Sequence, residues 1–243
     1  MKILQDIISS LKGDAPVKEV RIGPFWTGVW SRYCGLSSTL LPPGHHGESY
    51  PVREAGFLTE KSARELCPYV FSPSPLEASV GMAAINSLLE IDEGELQEIN
   101  AEDIIAEHGR NRNVVIVGHF PFVERIRNIA QNLWVLEKNP QAGDLPAEAA
   151  EEVIPQADVV AITGTALING TLEGLLQLCS QKSLVMVLGP TTPLSPVLFD
   201  HGVHVVSGTR VTDPEWVLKA ISQGVVFKQL KGRGVRLLTM SRI

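Results

Sequence analysis

The sequence predicts an α/β fold in which a smaller α+β unit precedes a parallel sheet flanked by helices. From residue 113 onward, short apolar runs alternate with segments of helical periodicity, a pattern typical of parallel sheets covered by helices. The first hundred residues instead combine helical patterns with closely spaced β-rich runs. A polar, acidic stretch over 90–112 separates the two patterns. We therefore predict two domains, 1–100 and 101–243.

The second half begins with residues 113–117, an unbroken apolar run that is too short for a helix and so predicts a strand buried on both faces. Gly118 ends this strand, and Pro121 suits the first position of a helix. Phe122 and Ile126 then fall on one helical stripe. The elements predicted here are helices over 121–131, 171–180 and 213–223, strands over 113–117, 133–136, 157–162, 183–188 and 203–206, a partly helical connection over 139–155, and a final apolar stretch over 234–240.

The first half opens with an amphipathic helix over residues 1–11, and Gly13 stops it. Residues 17–32 predict one or two strands, with 33–41 as their antiparallel partner. Prolines and glycines make 42–51 a loop. A helix over 76–89 follows, capped by Ser74 and begun by Pro75, and its many small residues predict a closely packed neighbour.

Composition excludes several classes of protein. The 243 residues carry a net charge of −6 with no extended basic face, which argues against a nucleic-acid partner. No apolar run approaches the roughly 20 residues that span a bilayer, so we expect no membrane partner and a cytoplasmic protein. Cys34, Cys67 and Cys179 are odd in number and widely spaced. Their number and spacing argue against a disulfide framework and against a zinc site, so we expect each to be a small buried side chain.

Ligands of an open parallel sheet collect beyond the carboxyl ends of its strands. This rule selects the loops 118–121, 137–139, 163–171 and 189–194, three of which contain glycine and so allow the backbone close to a ligand. The ligand-binding residues predicted in these loops are Gly118, Glu137, Thr163, Gly164, Thr165, Asn169, Thr171, Gly189, Thr191 and Thr192. The three spaced glycines of a dinucleotide site are missing, but Glu137 lies where an acid would hold a ribose hydroxyl.

His119 lies at the junction of the first strand of the sheet and its helix, where it could bind a metal, donate a proton or cap a turn. His45 and His46 are consecutive in the 42–51 loop, and only a turned backbone would direct both at one ion. Loop histidines are more often simply solvated. The sequence contains neither the paired helical histidines of zinc proteases nor the glycine-serine elbow of serine hydrolases.

Four ordered motifs, at 74–88, 117–122, 163–171 and 188–193, together resemble the prokaryotic family labelled "putative heavy-metal chelation". The resemblance implies an enolase N-terminal-like domain followed by a Rossmann-like domain, with a small-molecule or metal-complex site between them. The first domain would only cap this site, since the carboxylates that hold magnesium in enolases are not recognisable here. Asn86, a polar residue on the 75–89 helix, would face the site.

The leading hypothesis is a protein that binds a small anionic or metal-chelating ligand, with a divalent metal ion as the candidate cofactor and His119 as metal ligand or catalytic proton donor. The alternative is a transferase or lyase that uses a nucleotide cofactor in the same cleft. A structural or regulatory role is a third hypothesis, and catalysis stays an open question. Phe25, Trp26 and Trp30 predict either core packing or a homodimer interface.

Overall fold

The computed structural model describes residues 1–41, 51–92, 94 and 96–243. Its smaller sheet is antiparallel and lies in the first half. The strands are β1 (Glu19–Ile22), β2 (Trp26–Trp30) and β3 (Cys34–Ser38), in the spatial order β1-β2-β3. They lie within the segments that the sequence predicted to be strands.

Three α-helices accompany this sheet: α1 (Lys2–Ser10), α2 (Ala63–Leu66) and α3 (Pro75–Leu88). Short 3-10 helices occupy Leu58–Glu60 and Cys67–Phe71. The Ser74 hydroxyl accepts a hydrogen bond from the backbone N–H of Glu77 at 3.4 Å, so the predicted cap of α3 is present.

The close packing predicted for α3 occurs on two sides and depends on two glycines. A Cβ atom on Gly81 would lie 2.1 Å from the backbone nitrogen of Val70, and one on Gly35 would lie 2.1 Å from the carbonyl oxygen of Ala83. Because no real side chain fits such distances, backbone meets backbone directly at both positions. This contact fixes α3 against β3 and against the 3-10 helix at 67–71.

The large sheet has seven strands among the described residues, and six of them are parallel. They are β4 (Asn113–Val117), β5 (Asn132–Glu137), β6 (Leu145–Pro146), β7 (Val159–Thr163), β8 (Leu184–Leu188), β9 (Val205–Val211) and β10 (Val235–Ser241). Their order is β10-β9-β8-β7-β4-β5-β6, with β10 antiparallel to β9. Counted from β4, this is the 3-2-1-4-5-6 order of doubly wound sheets. The predicted fold class, a mostly parallel sheet flanked by helices, is confirmed.

The direction of strand addition reverses between β4 and β7. The chain runs outward from β4 to β5 and β6, then returns to place β7 on the other side of β4. At such a reversal, the loops that follow the two central strands leave in opposite directions and open a crevice beyond the carboxyl ends. The loops after β4 and β7 are two of those that the sequence selected.

Helices flank the large sheet: α4 (Ala101–His108), α5 (Val123–Arg127), α6 (Ala150–Val153), α7 (Thr165–Ile168), α8 (Leu172–Leu178), α9 (Val197–Asp200), α10 (Pro214–Ile221) and α11 (Phe227–Leu230). Four differ from prediction. Helix α5 ends at Arg127, short of the predicted 131, because residues 128–130 form turns. The short helices α7, α9 and α11 were not predicted, because four residues are too few for a periodicity to show.

A hydrophobic cluster joins the two halves. It includes Ile85 and Leu88 of α3 together with Val187 of β8 and Leu238 of β10. Trp26 is half-buried and packs on Phe227 with ring centroids 5.7 Å apart, while Phe25 is 50 % exposed. The two-domain division, the enolase likeness of the first half and the homodimer stay predictions. None of the helices in the described ranges is long and apolar enough to cross a membrane.

Candidate functional site

A cleft of about 1080 Å³ lies at the carboxyl edge of the large sheet, and we call it the His119 cleft. Its lining combines the ends of β4, β5 and β7 with residues that precede and begin α3. The principal lining residues are Leu40, Leu41, Ser72, Pro73, Pro75, Ala78, Gly118, His119, Phe120, Glu137, Lys138, Asn139, Thr163, Thr165, Asn169 and Thr171. Seven of the twelve described residues that the sequence predicted for a site therefore share one cavity.

His119 is held by a buried carboxylate. Its Nδ1 lies 3.0 Å and 3.2 Å from the two carboxylate oxygens of Asp144, whose side chain is 1 % exposed against 33 % for that of His119. Asp144 also accepts a hydrogen bond from the backbone N–H of Gln141 at 3.1 Å. An ionised Asp144 can only accept, so Nδ1 carries the proton. The ring is thereby fixed in orientation, and no described residue hydrogen-bonds its Nε2.

Glu137 supports the same loop from the end of β5. One carboxylate oxygen accepts the backbone N–H of His119 at 3.0 Å, and the other accepts the backbone N–H of Lys138 at 2.8 Å. Each oxygen keeps a further lone pair for a ligand. Glu137 therefore has a structural role in the loop, and its role as an acceptor for ligand hydroxyls stays a prediction.

The polar residues after β7 form two short hydrogen-bonded pairs. The hydroxyls of Thr163 and Thr165 lie 3.0 Å apart. The side-chain oxygen of Asn169 accepts both the backbone N–H of Thr171, at 3.1 Å, and its hydroxyl, at 2.7 Å. These bonds leave the Asn169 amide as a free donor within the described part of the chain. They also hold the loop in one conformation.

Two important residues of the cleft escaped the sequence analysis. Lys138 is exposed and is the one lysine or arginine among the described residues that line the cleft. Its loop was selected but its charge was not used. Asp144 lies in the 139–155 connection, where proline and glycine content predicted only a crossing segment. Nothing in the local sequence indicates that this carboxylate folds back 25 residues to meet His119.

Near the start of α3, the buried carboxylate of Glu77 forms an ion pair with the exposed side chain of Arg53. Glu77 is 2 % exposed and accepts hydrogen bonds from the backbone N–H of Arg53 at 2.7 Å and from its guanidinium at 2.9 Å. Burial raises the pKa of Glu77, but the hydrogen bonds from Arg53 and Ser72 outweigh this and hold it below its ordinary value of 4.5.

Five of the predicted site residues lie outside the cleft lining. Thr191 is 1 % exposed, and its hydroxyl accepts the Ser38 backbone N–H at 2.9 Å. The Asn86 amide donates to the carbonyl oxygens of Leu36 and Thr191 at 2.8 Å and 3.1 Å. A Cβ atom on Gly164 would lie 2.4 Å from the Thr192 hydroxyl oxygen. These four residues, Asn86, Gly164, Thr191 and Thr192, pack the chain together, and Gly189 lines a different cavity.

Two family models match the chain, DUF4213 over residues 4–89 and DUF364 over residues 100–240. Both carry the description "Putative heavy-metal chelation". The chain belongs to the DUF364 family. The resemblance on which the sequence analysis relied is thereby confirmed.

Relatives of the DUF364 chain agree in fold. A DUF364 protein of unknown function from Desulfitobacterium hafniense has a crystal structure with a TM-score of 0.85, 26% identity, and coverage of 99% of this chain and 98% of its own. One from Pyrococcus horikoshii gives a TM-score of 0.81 at 22% identity, with the same coverage. An uncharacterized protein of Methanocaldococcus jannaschii is 26% identical over 80% of this chain and 77% of its own length.

The family description raises the question of metal ligands. Within the described ranges, no group of three or more His, Cys, Asp or Glu side chains is placed to hold a metal ion. His45 and His46, two of the predicted metal ligands of this DUF364 chain, lie outside the described residues. Burial raises the pKa of Cys34 and Cys67 to about 12 and that of Cys179 to about 11, so all three are protonated thiols at neutral pH.

Proposed function

We propose that the protein binds a small anionic or metal-chelating ligand in the His119 cleft, with His119 as the residue that contacts the metal or shares a proton with the ligand. The observation that carries this proposal is the bond between Nδ1 of His119 and the buried carboxylate of Asp144, at 3.0 Å. Histidines that ligate metals almost always donate their other ring N–H to such a partner. The same arrangement orients a histidine for proton transfer.

The donor set favours a metal complex over a bare ion. A firmly held transition metal needs three or four protein ligands, and the described residues bring no such group together. A chelated metal instead arrives with most of its coordination positions filled. One imidazole nitrogen, Nε2 of His119, then completes the coordination. The heavy metal is in this view cargo carried by the ligand, which fits the description of the family.

The rest of the cleft suits the anionic groups of a chelating molecule. Lys138 supplies a positive charge at the rim, and the Asn169 amide and the Thr165 hydroxyl supply donors deeper in the loop after β7. Charge-assisted hydrogen bonds to carboxylates are about twice as strong as neutral ones. Glu137, an acceptor, would select a ligand that also carries hydroxyl groups.

Calorimetric titration with nickel nitrilotriacetate tests the metal-complex form of the proposal, because this probe is a carboxylate chelate with coordination positions left open. We expect saturable binding by the wild-type chain and a loss of at least about tenfold in affinity for His119→Ala. Both chains should also be titrated with His45 and His46 replaced by alanine, so that these two histidines cannot bind the probe.

His201→Ala is the matched control. His201 is also paired with a carboxylate, Asp6, at 2.9 Å, but it lies outside the cleft. This variant should bind the probe as the wild type does. Equal losses in His119→Ala and His201→Ala, or no loss in His119→Ala, would remove His119 from the site.

A nucleotide-dependent transferase or lyase is the second candidate function, and the position of Glu137 favours it. This acid ends the strand next to β4 and lines the cleft, as the ribose-binding acid of dinucleotide sheets does. Titration with adenosine diphosphate separates the two functions. Binding of the nucleotide that Glu137→Gln weakens would support the second, and absence of binding would leave the first.

A further inference from the structure

A second cavity, of about 440 Å³, lies beside the His119 cleft, and we call it the Phe227 pocket. Among described residues it shares only Phe120 with the cleft. Its residues come from the 99–102 segment, the loops after β4 and β8, strands β9 and β10, and helix α11. The side chains that carry the following argument are Phe120, Phe122, Phe227, Leu188, Leu237, Lys228 and Lys231.

The walls of the Phe227 pocket are aromatic. The rings of Phe120 and Phe122 stack with centroids 5.1 Å apart and an interplanar angle of 13°. Phe227 forms another wall and is itself held by Trp26. Leu188 and Leu237 add aliphatic surface, so most of the lining is apolar. The volume is within the range of about 300–1000 Å³ that small-molecule pockets occupy.

Positive and negative charges at the rim of the Phe227 pocket do not balance. Arg125 is neutralised by Glu102 and Asp103, each at 2.8 Å. Lys228 and Lys231 are exposed and have no ion-pair partner within the part of the chain that the structure describes. The one carboxylate in the described lining, that of Glu102, is already bound by Arg125. A net positive charge therefore remains at the side of the pocket formed by α11.

We propose that the Phe227 pocket binds a small amphiphilic anion, a molecule with an aromatic body and a carboxylate or sulfonate at one end. The rings of Phe120, Phe122 and Phe227 take up the aromatic body, since offset and tilted ring contacts are favourable beyond the area they bury. Lys228 and Lys231 pair with the anionic end. This site is separate from the one proposed for the chelating ligand and does not depend on it.

Fluorescence titration with anilinonaphthalene sulfonate tests the pocket, because this probe has the proposed chemistry and becomes bright in apolar surroundings. We expect saturable binding of one probe per natively folded chain. The double variant Lys228→Glu, Lys231→Glu should weaken it by about tenfold or more, because like charges then face the sulfonate. Both lysines are exposed, so the variant should melt as the wild type does.

Three comparisons make the test specific. Lys182→Glu changes an exposed lysine outside both cavities by the same charge and should leave binding unchanged. His119→Ala should also leave it unchanged, because the probe does not enter the cleft. Phenylnaphthylamine, which lacks the sulfonate, should bind the wild type and the double variant equally. No binding by the wild type, equal losses in the two lysine variants, or a loss in His119→Ala would overturn the proposal.

Discussion

The loops after β7 and β8 leave neighbouring strands at the same edge of the sheet, yet they have different surroundings. In the loop after β7, Thr163, Thr165 and Asn169 line the His119 cleft. In the loop after β8, Thr191 and Thr192 are 1 % and 2 % exposed: Thr191 bonds to Ser38 of the first half, and Thr192 packs against Gly164. The carboxyl-end rule locates both loops equally well. Whether such a loop is free to meet a ligand depends on what else covers it.

The strongest test of this difference is Gly164→Ala, at the point where the two loops touch. The added methyl would lie 2.4 Å from the Thr192 hydroxyl oxygen and 2.6 Å from its backbone nitrogen. We expect the free energy of unfolding to fall by about 2–3 kcal/mol, the cost of overpacking a tight site. Chemical denaturation followed by circular dichroism measures it.

Gly174→Ala in α8 is the matched control, because nothing lies within 4 Å of the position its Cβ would occupy. A helix interior prefers alanine to glycine by about 0.5–1 kcal/mol, so this variant should be stabilised. If Gly164→Ala kept full stability and lost only ligand binding, Gly164 would belong with the open loop and the comparison would fail.

In the His119 cleft, Asp144→Asn should change ligand affinity more than it changes the free energy of unfolding. Asparagine keeps the shape of the side chain but also presents an N–H group, so it no longer fixes the proton on Nδ1 of His119. Loss of such a supporting partner lowers metal affinity by about 10–100-fold. The measurement is calorimetric titration with nickel nitrilotriacetate. An affinity equal to that of the wild type would show that Asp144 serves only the local fold.

The smallest effect is expected at Glu77, a buried residue in the first turn of α3. Glu77→Gln removes the charge that Arg53 binds, at a cost to the free energy of unfolding of about 1 kcal/mol at neutral pH, since Arg53 is largely exposed. The pKa of Glu77 lies below 4.5 in the folded protein, so this stabilisation is complete above 4.5 and is lost as pH falls through the lower value.

The difference in unfolding free energy between wild type and Glu77→Gln should therefore stay constant above pH 4.5 and shrink as the pH falls below that value. Denaturation curves at several pH values check this. A difference that stays constant on acidification would mean that Glu77 contributes by shape alone.

Much of the fold was readable from the sequence, because its signals are local. The apolar run at 113–117 is β4. The small residues of the 76–89 helix predicted a closely packed neighbour, and the close contacts occur at Gly35 and Gly81. The alternation of strands with helices in the second half predicted the parallel sheet. The predicted ends of elements were less exact where the chain forms turns instead of continuing a helix, as at Ile129 after α5.

The site was only partly readable, because its remaining signals are long-range. The rule for strand ends found His119, Glu137 and the loop after β7. It could not show that Asp144 returns to His119, nor that Ser38 covers Thr191 across 153 residues of chain. The contact of Asp144 depends on how the 139–155 connection folds back within the second half, and that of Ser38 on how the first half is placed on the second. No local pattern records either placement.

The two margins of the large sheet also shape how copies of this protein can meet. On one side, the backbone of Gln97 pairs with Thr239 of β10 in both directions, at 2.9 Å. On the other, β6 is two residues long and ends in Pro146, which has no N–H to give. At these positions the two margins offer a foreign strand only an interrupted row of backbone partners, which works against fibre-like stacking of copies edge to edge.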